Sequence, residues 1–174
     1  MDYLIHRLID KENAGLLKNK LIGVKAEWED GKRTAGKQAA KVKNNFQMKK
    51  DSQTSDNYSE KIISLLEADP LIKSYCLPKS FHGITFSRSL KDQGYGMHVD
   101  NAYMNSGRSD LSFTLFISDK IDYEGGELCI QSIQEDKEIK LEAGEIVIYP
   151  STSLHAVNNV KSGERIVCVG WIQS

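Results

Sequence analysis

Residues 141–174, LEAGEIVIYPSTSLHAVNNVKSGERIVCVGWIQS, decide the fold. They hold three apolar, β-prone runs, 145–149, 154–160 and 165–173, separated by short turn-forming segments, with Pro150 at the exit of the first run. Parallel neighbours need a crossover of a dozen residues or more, and these gaps are far shorter, so the runs are expected to pair antiparallel. Upstream, back to Pro78, the same texture recurs at 81–90, 96–101, 111–118, 126–132 and 137–141. About eight short strands in series, with no internal repeat, predict a double-sheet jelly roll.

Before Pro78 the period changes. Asp10 is placed to cap a helix carrying Ala14, Leu16, Leu17, Leu21 and Ile22, with Gly23 at its end. Ser55 or Asp56 is placed to cap a second, whose stripe Tyr58, Ile62, Ile63, Leu65 and Leu66 stops at Pro70. Between them, residues 24–53 are polar and show no sustained period, which suggests short strands or a functional loop. The expected class is α+β, mainly β: a jelly roll (double-stranded β-helix) with N-terminal helices packed on one sheet. The expected organisation is one domain over 1–174, with 1–78 helical and irregular and 79–174 the jelly-roll core.

A chain of 174 residues, 40% hydrophobic and 27% charged, has enough apolar material for one core. No apolar run is long enough to span a membrane, and the opening MDYLIHRLIDKEN lacks the apolar core and cleavage site of a secretory signal, so a cytoplasmic location is expected. Cys76, Cys129 and Cys168 are odd in number and form no CxxC pair, and are read as buried thiols. The net charge of −1 conceals 12 Lys+Arg against 6 Asp+Glu in residues 1–50 and 11 against 18 beyond. The basic front, Lys25, Lys32, Lys37, Lys41, Lys43, Lys49 and Lys50, has few aromatics among its charges. It reads as a solvated face, and nucleic-acid binding is not expected.

Chemistry concentrates at His98 and Asp100 in GYGMHVDNAY and at His155 in PSTSLHAVNN. On a strand, residues two apart share a face, so His98 and Asp100 present an imidazole and a carboxylate side by side. A third ligand, His155, would complete two nitrogens and one oxygen on one face of an octahedral ion. That is the arrangement of non-haem Fe(II) oxygenases, whose three open positions suit a chelating cosubstrate plus dioxygen. Zinc hydrolases also use three protein ligands. An HxD pair can equally arise in a sheet whose histidines only satisfy hydrogen bonds. Arg165 follows His155 across the turn Lys161-Ser162-Gly163 and is expected on the neighbouring strand of one hairpin, about 13 Å away. Its planar fork suits the far carboxylate of 2-oxoglutarate; a surface ion pair with Glu164 or Glu145 is the plainer reading. Gly125 and Gly126 suggest a tight turn or close backbone approach, Trp171 reads as core, and Asn101, Tyr103 and the Ser151–Ser153 hydroxyls are candidates to orient the ligands. The polar stretch 25–53 and the loop 101–110 are placed to gate a pocket, or to be plain surface.

Taken in order, GYGMHVDNA, RSDLSFTLFISDKIDYEGGEL and residues 141–174 closely resemble the PKHD-type hydroxylases, a prolyl-4-hydroxylase-like branch of the Fe(II)/2-oxoglutarate dioxygenases. AEWEDGKRTAGKQAAKVKNNFQM is similar to that group's N-terminal region, so the resemblance covers roughly 25–174. It implies a double-stranded β-helix, His98, Asp100 and His155 as iron ligands, and Arg165 on the distal carboxylate of 2-oxoglutarate. It also implies ascorbate as a reducing helper. Many members carry a tyrosine nine residues before the first ligand, where this chain has Ser89; the tyrosine three before is kept as Tyr95, a further candidate cosubstrate contact. Bacterial members continue past the WIQS-like strand with a helical tail, where this sequence ends at Ser174.

The implied reaction consumes O2 and 2-oxoglutarate, releases succinate and CO2, and hydroxylates a substrate that the sequence leaves unidentified: a prolyl or other peptide residue, or a small molecule. Two other readings predict different behaviour. A cupin-type isomerase or hydrolase would work without Arg165, and a non-catalytic binding module would show no metal-dependent turnover. Oligomeric state leaves no trace in the sequence.

Overall fold

Two antiparallel sheets face each other in the computed structural model, which describes residues 3–24, 27–34, 39–104, 106–132 and 135–174. The major sheet has seven strands in the order Leu4–Arg7, Glu145–Pro150, Leu111–Phe116, Arg165–Gln173, Ser80–Ser89, Phe46–Met48 and Trp28–Asp30. The minor sheet has five: Lys137–Ile139, Leu128–Ile130, His155–Val157, Gly94–His98 and Lys43–Asn44. Two short ladders, Tyr123–Gly125 with Val160–Gly163 and Tyr103–Met104 with Gly107–Arg108, complete the jelly roll.

Three helices cover the outer face of the major sheet, and each begins on a side-chain cap. Asp10 accepts from the Asn13 amide (2.7 Å) at the start of α1 (Lys11–Gly23). Ser52, rather than Ser55 or Asp56, caps α2 (Gln53–Ala68), its hydroxyl accepting from the Ser55 amide. Pro70 does more than stop α2: with Asp69 as cap it opens α3 (Pro70–Cys76), a position where its missing N–H costs nothing. Leu17, Leu21, Ile62, Leu66 and Ile72 pack on Phe86, Phe113, Leu115, Ile146, Ile148 and Ile166. A second core cluster lies between the sheets, around Phe116, Leu128, Ile130, Val147 and Val167.

Residues 1–78 also contribute strands. Leu4–Arg7, Trp28–Asp30 and Phe46–Met48 extend the major sheet and Lys43–Asn44 the minor one, so the irregular stretch 24–53 is built into both layers where it is described. The three cysteines are buried free thiols, each pKa raised by burial. Among the described residues no helix is long and apolar enough to cross a membrane. Of the basic front, Lys25 and Lys37 lie outside the described residues. Lys32, Lys41 and Lys50 are exposed, but Lys43 is only 6% exposed, so the expected solvated face is interrupted there.

Candidate active site

Side-chain alternation decides what enters the space between the sheets. On the last strand Ile166, Cys168 and Ile172 face the helices, which turns Arg165, Val167, Val169 and Trp171 inward. Ser112 and Thr114 turn inward for the same reason, between Phe113 and Leu115. The minor sheet answers with His98 and His155, paired directly across neighbouring strands with ring centroids 4.2 Å apart. Together these walls enclose a cavity of about 750 Å3.

One ligand atom from each of His98, Asp100 and His155 lies within 4.8 Å of the other two, the one such cluster of three or more among the described residues. His98 Nε2 is 3.8 Å from Asp100 Oδ1, and His155 Nε2 is 3.9 Å from Asp100 Oδ2. His98 Nδ1 is 2.8 Å from the Gly96 carbonyl oxygen, and His155 Nδ1 is 3.0 Å from that of Ser153. A carbonyl only accepts, so each Nδ1 holds the proton and each Nε2 turns a lone pair toward the cluster. Burial first, and then the neighbouring His155, push the His98 pKa down to about 4, which keeps that imidazole neutral. Two imidazole nitrogens and one carboxylate oxygen match the donor set of a mononuclear non-haem iron centre.

A second layer of contacts fixes these groups. Asp100 Oδ2 accepts from Ser112 Oγ (2.6 Å) and from the Trp171 indole N–H (3.0 Å), while Ser112 Oγ is 2.8 Å from Ser151 Oγ. Trp171 and Ser112 are cross-strand partners, so one register position supplies both donors. The Tyr95 ring stacks on His98 at 3.7 Å, and its hydroxyl pKa is pushed up to about 12 by burial and the Asp100 charge. Tyr149 meets His155 edge-on.

Arg165 is 3% exposed and pairs in register with Ser89. Its guanidinium carbon lies 5.5 Å from the Phe116 ring centroid. Among the described residues no carboxylate lies within 4 Å of it, and neither its Nε nor the nearby Tyr123 hydroxyl has a hydrogen-bond partner. Burial pulls its pKa down, opposed by Tyr123, Tyr149 and Glu127. A guanidinium so enclosed, with no carboxylate beside it, is suited to an anionic group. Gly126, at φ +66°, makes room for it: a Cβ there would sit 3.0 Å from Arg165 Cδ.

Several expectations need correction. His155 and Arg165 do not share a hairpin. Val160–Gly163 intervenes and pairs with Tyr123–Gly125, and the chain crosses from the minor sheet to the major one, so the two residues face each other across the cavity. Glu164 takes Arg88 as its partner and Glu145 pairs with Arg7, so neither binds Arg165. Trp171, expected in the core, is half-buried in the cavity wall and donates a hydrogen bond there. Asn101 is exposed and Tyr103 is 74% exposed, and neither orients a ligand. Ser151 reaches Asp100 through Ser112, whereas Ser153 serves by its carbonyl rather than its hydroxyl. Ser112, Tyr123, Tyr149 and Lys43 were not singled out for the site; only the inward parity of their strands could have signalled the first three.

Fold and donor set together define the class: a double-stranded β-helix with a His-Asp-His cluster between its sheets is a non-haem Fe(II) oxygenase scaffold. Known proteins narrow it. The family description "2OG-Fe(II) oxygenase superfamily" matches residues 84–173. A PKHD-type hydroxylase of Prochlorococcus marinus strain MIT 9303 is 58% identical over 174 residues, covering 100% of this chain and 79% of the relative, and one of strain MIT 9211 is 59% identical with the same coverage. Among solved structures, a Pseudomonas putida prolyl-4-hydroxylase superposes with a TM-score of 0.70 at 16% identity, covering 99% of this chain and 92% of its own. A 2OG-Fe(II) oxygenase family oxidoreductase of Burkholderia pseudomallei gives 0.72 at 17%, covering 99% and 85%. The chain belongs to the 2OG-Fe(II) oxygenase superfamily, in its PKHD-type hydroxylase branch. It is an Fe(II)- and 2-oxoglutarate-dependent dioxygenase that hydroxylates its substrate.

Proposed function

We propose that His98, Asp100 and His155 hold the iron, that Arg165 grips the distal carboxylate of 2-oxoglutarate, and that residues 1–174 act as one hydroxylase domain on a small-molecule or peptide substrate. The observation that carries this is the convergence of both Nε2 lone pairs on Asp100, with each Nδ1 tied back to a carbonyl.

Bound Fe(II) supplies the chelation of 2-oxoglutarate and the activation of dioxygen, chemistry that no side chain here can perform. The residues present fit that group: the imidazoles are proton-free on the inner side, and Ser112 and Trp171 occupy one carboxylate oxygen of Asp100, leaving Oδ1 to the metal. Arg165 fixes the cosubstrate by paired charge-assisted hydrogen bonds from the opposite sheet, supported by the Tyr123 hydroxyl. Tyr95 holds the plane of His98 and offers its hydroxyl at the cavity wall. Val167 and Val169 keep that wall apolar, and Phe116 lies behind it beside the Arg165 guanidinium. Ascorbate serves as external reductant, and a prolyl peptide is one candidate substrate, since structural neighbours are described as prolyl hydroxylases.

The test is anaerobic addition of Fe(II) and 2-oxoglutarate to the metal-free protein, followed through the visible charge-transfer band of the chelate, then oxygen and a succinate assay. The band is expected in the wild type and lost in His98→Ala and His155→Ala. In Arg165→Ala, iron is expected to stay bound while cosubstrate affinity drops. A band of full strength in His98→Ala would sink the assignment.

A further inference from the structure

The cavity holds a second enclosed cation, Lys43. It sits on the edge strand of the minor sheet, opposite Tyr95 in register, and is 6% exposed. Its ammonium lies 5.4 Å from the Tyr95 ring centroid. Among the described residues no carboxylate lies within 4 Å of that ammonium; Asp100 and Asp30 act on it only from further away. A buried lysine without a counterion is a costly arrangement that folding alone gives no reason to keep.

Charge balance says what it faces. In the loaded site of the reading above, the two charges of Fe(II) and the one of Arg165 are matched by Asp100 and the two carboxylates of 2-oxoglutarate. Among the described residues lining the cavity, Lys43 is then the one buried cation left over, on the same side as the His98 imidazole that Tyr95 backs; Lys50, which also lines it, is exposed to solvent. The cavity of about 750 Å3 is far larger than a five-carbon diacid requires, which leaves room for a second ligand beside the cosubstrate. A single buried ammonium, with the other lining charges Lys50 and Asp56 exposed to solvent, matches one negative charge; a phosphate would call for several donors, as from arginines or a helix N-terminus.

We propose that Lys43 is the substrate anchor, binding a carboxylate of a small, carboxylate-bearing substrate and so holding its C–H bond toward the His98–Asp100–His155 centre. The inference rests on the reading of this cavity as the oxygenase site, and the experiment separates the two.

The probes are the free L-amino acids, their N-acetyl forms and the matching carboxamides. Their binding is followed by saturation-transfer NMR on protein loaded with Zn(II) and 2-oxoglutarate, which binds without turning over. In the wild type at least one acid is expected to bind about tenfold or more tighter than its own amide, the worth of a charge-assisted hydrogen bond. That preference is expected to vanish in Lys43→Met and to survive in Lys43→Arg. The Fe(II)/2-oxoglutarate charge-transfer band, read separately, reports the metal centre: failure to form it in the wild type defeats the oxygenase reading. A normal band with no acid preference anywhere in the panel, absence of binding included, overturns the Lys43 proposal alone. So does an acid preference that persists in Lys43→Met, and so does a Lys43→Met protein whose defect is in 2-oxoglutarate affinity instead.

Discussion

Replacing Trp171 by Phe removes one hydrogen-bond donor from Asp100, together with part of the ring that packs over Gly83. The indole N–H donates to Oδ2 at 3.0 Å, and the carboxylate side chain is 12% exposed, so water does not readily replace the lost donor. A hydrogen bond to a charged group contributes about 1.5–3 kcal/mol, which is about 10- to 100-fold in an equilibrium constant. The same range is found generally when a group that orients a metal ligand is removed. Fe(II) affinity of Trp171→Phe is therefore expected to fall about 10- to 100-fold, measured by anaerobic titration of the charge-transfer band at saturating 2-oxoglutarate. Ser112→Ala removes the shorter bond, at 2.6 Å, and its link to Ser151, and is expected to fall at least as far. Thermal unfolding of the metal-free proteins separates orientation from packing: a folding defect moves Tm without metal, whereas loss of orientation shows in metal affinity. Affinity within about twofold of wild type in both variants would refute the view that these donors hold Asp100 for the iron.

Other outcomes follow from the same geometry. Arg165→Lys keeps the charge but loses the fork, and is expected to weaken 2-oxoglutarate binding about tenfold or more with iron affinity unchanged; equal cosubstrate affinity would show that a point charge suffices. Gly126→Ala places a Cβ 3.0 Å from Arg165 Cδ at φ +66°, so it should cost about 1–3 kcal/mol in urea unfolding and weaken cosubstrate binding as well. Burial lowers the Lys43 pKa from 10.5 to about 8, so between those values the unfolded chain binds more protons than the folded one. The Lys43 contribution to metal-free stability therefore rises with pH from about 8 to 10.5. A stability difference between wild type and Lys43→Met that stays flat over that window would contradict it.

The β-rich half was legible because its strands bury one or both faces and the apolar runs are long enough to show a period. Leu4–Arg7, Trp28–Asp30, Lys43–Asn44 and Phe46–Met48 were not, because two to four residues carry no period and these strands exist by pairing with distant partners such as Ile148 and Arg88. The residues His98, Asp100, His155 and Arg165 could be singled out locally, but their meeting could not. The hairpin expected between His155 and Arg165 fails because successive strands of a jelly roll alternate between sheets, so neighbours in sequence become opposite walls. Trp171 and Ser112 illustrate the remaining gap: their shared bond to Asp100 depends on the register of two strands far apart in sequence.

Both histidines fasten Nδ1 to the main chain two residues earlier, at Gly96 and Ser153. The tautomer that each ring needs is thus written into its own backbone, and no neighbouring side chain is required to enforce it. The surrounding walls can then diverge from one homologue to the next and admit new molecules while the metal-gripping hardware stays in tune.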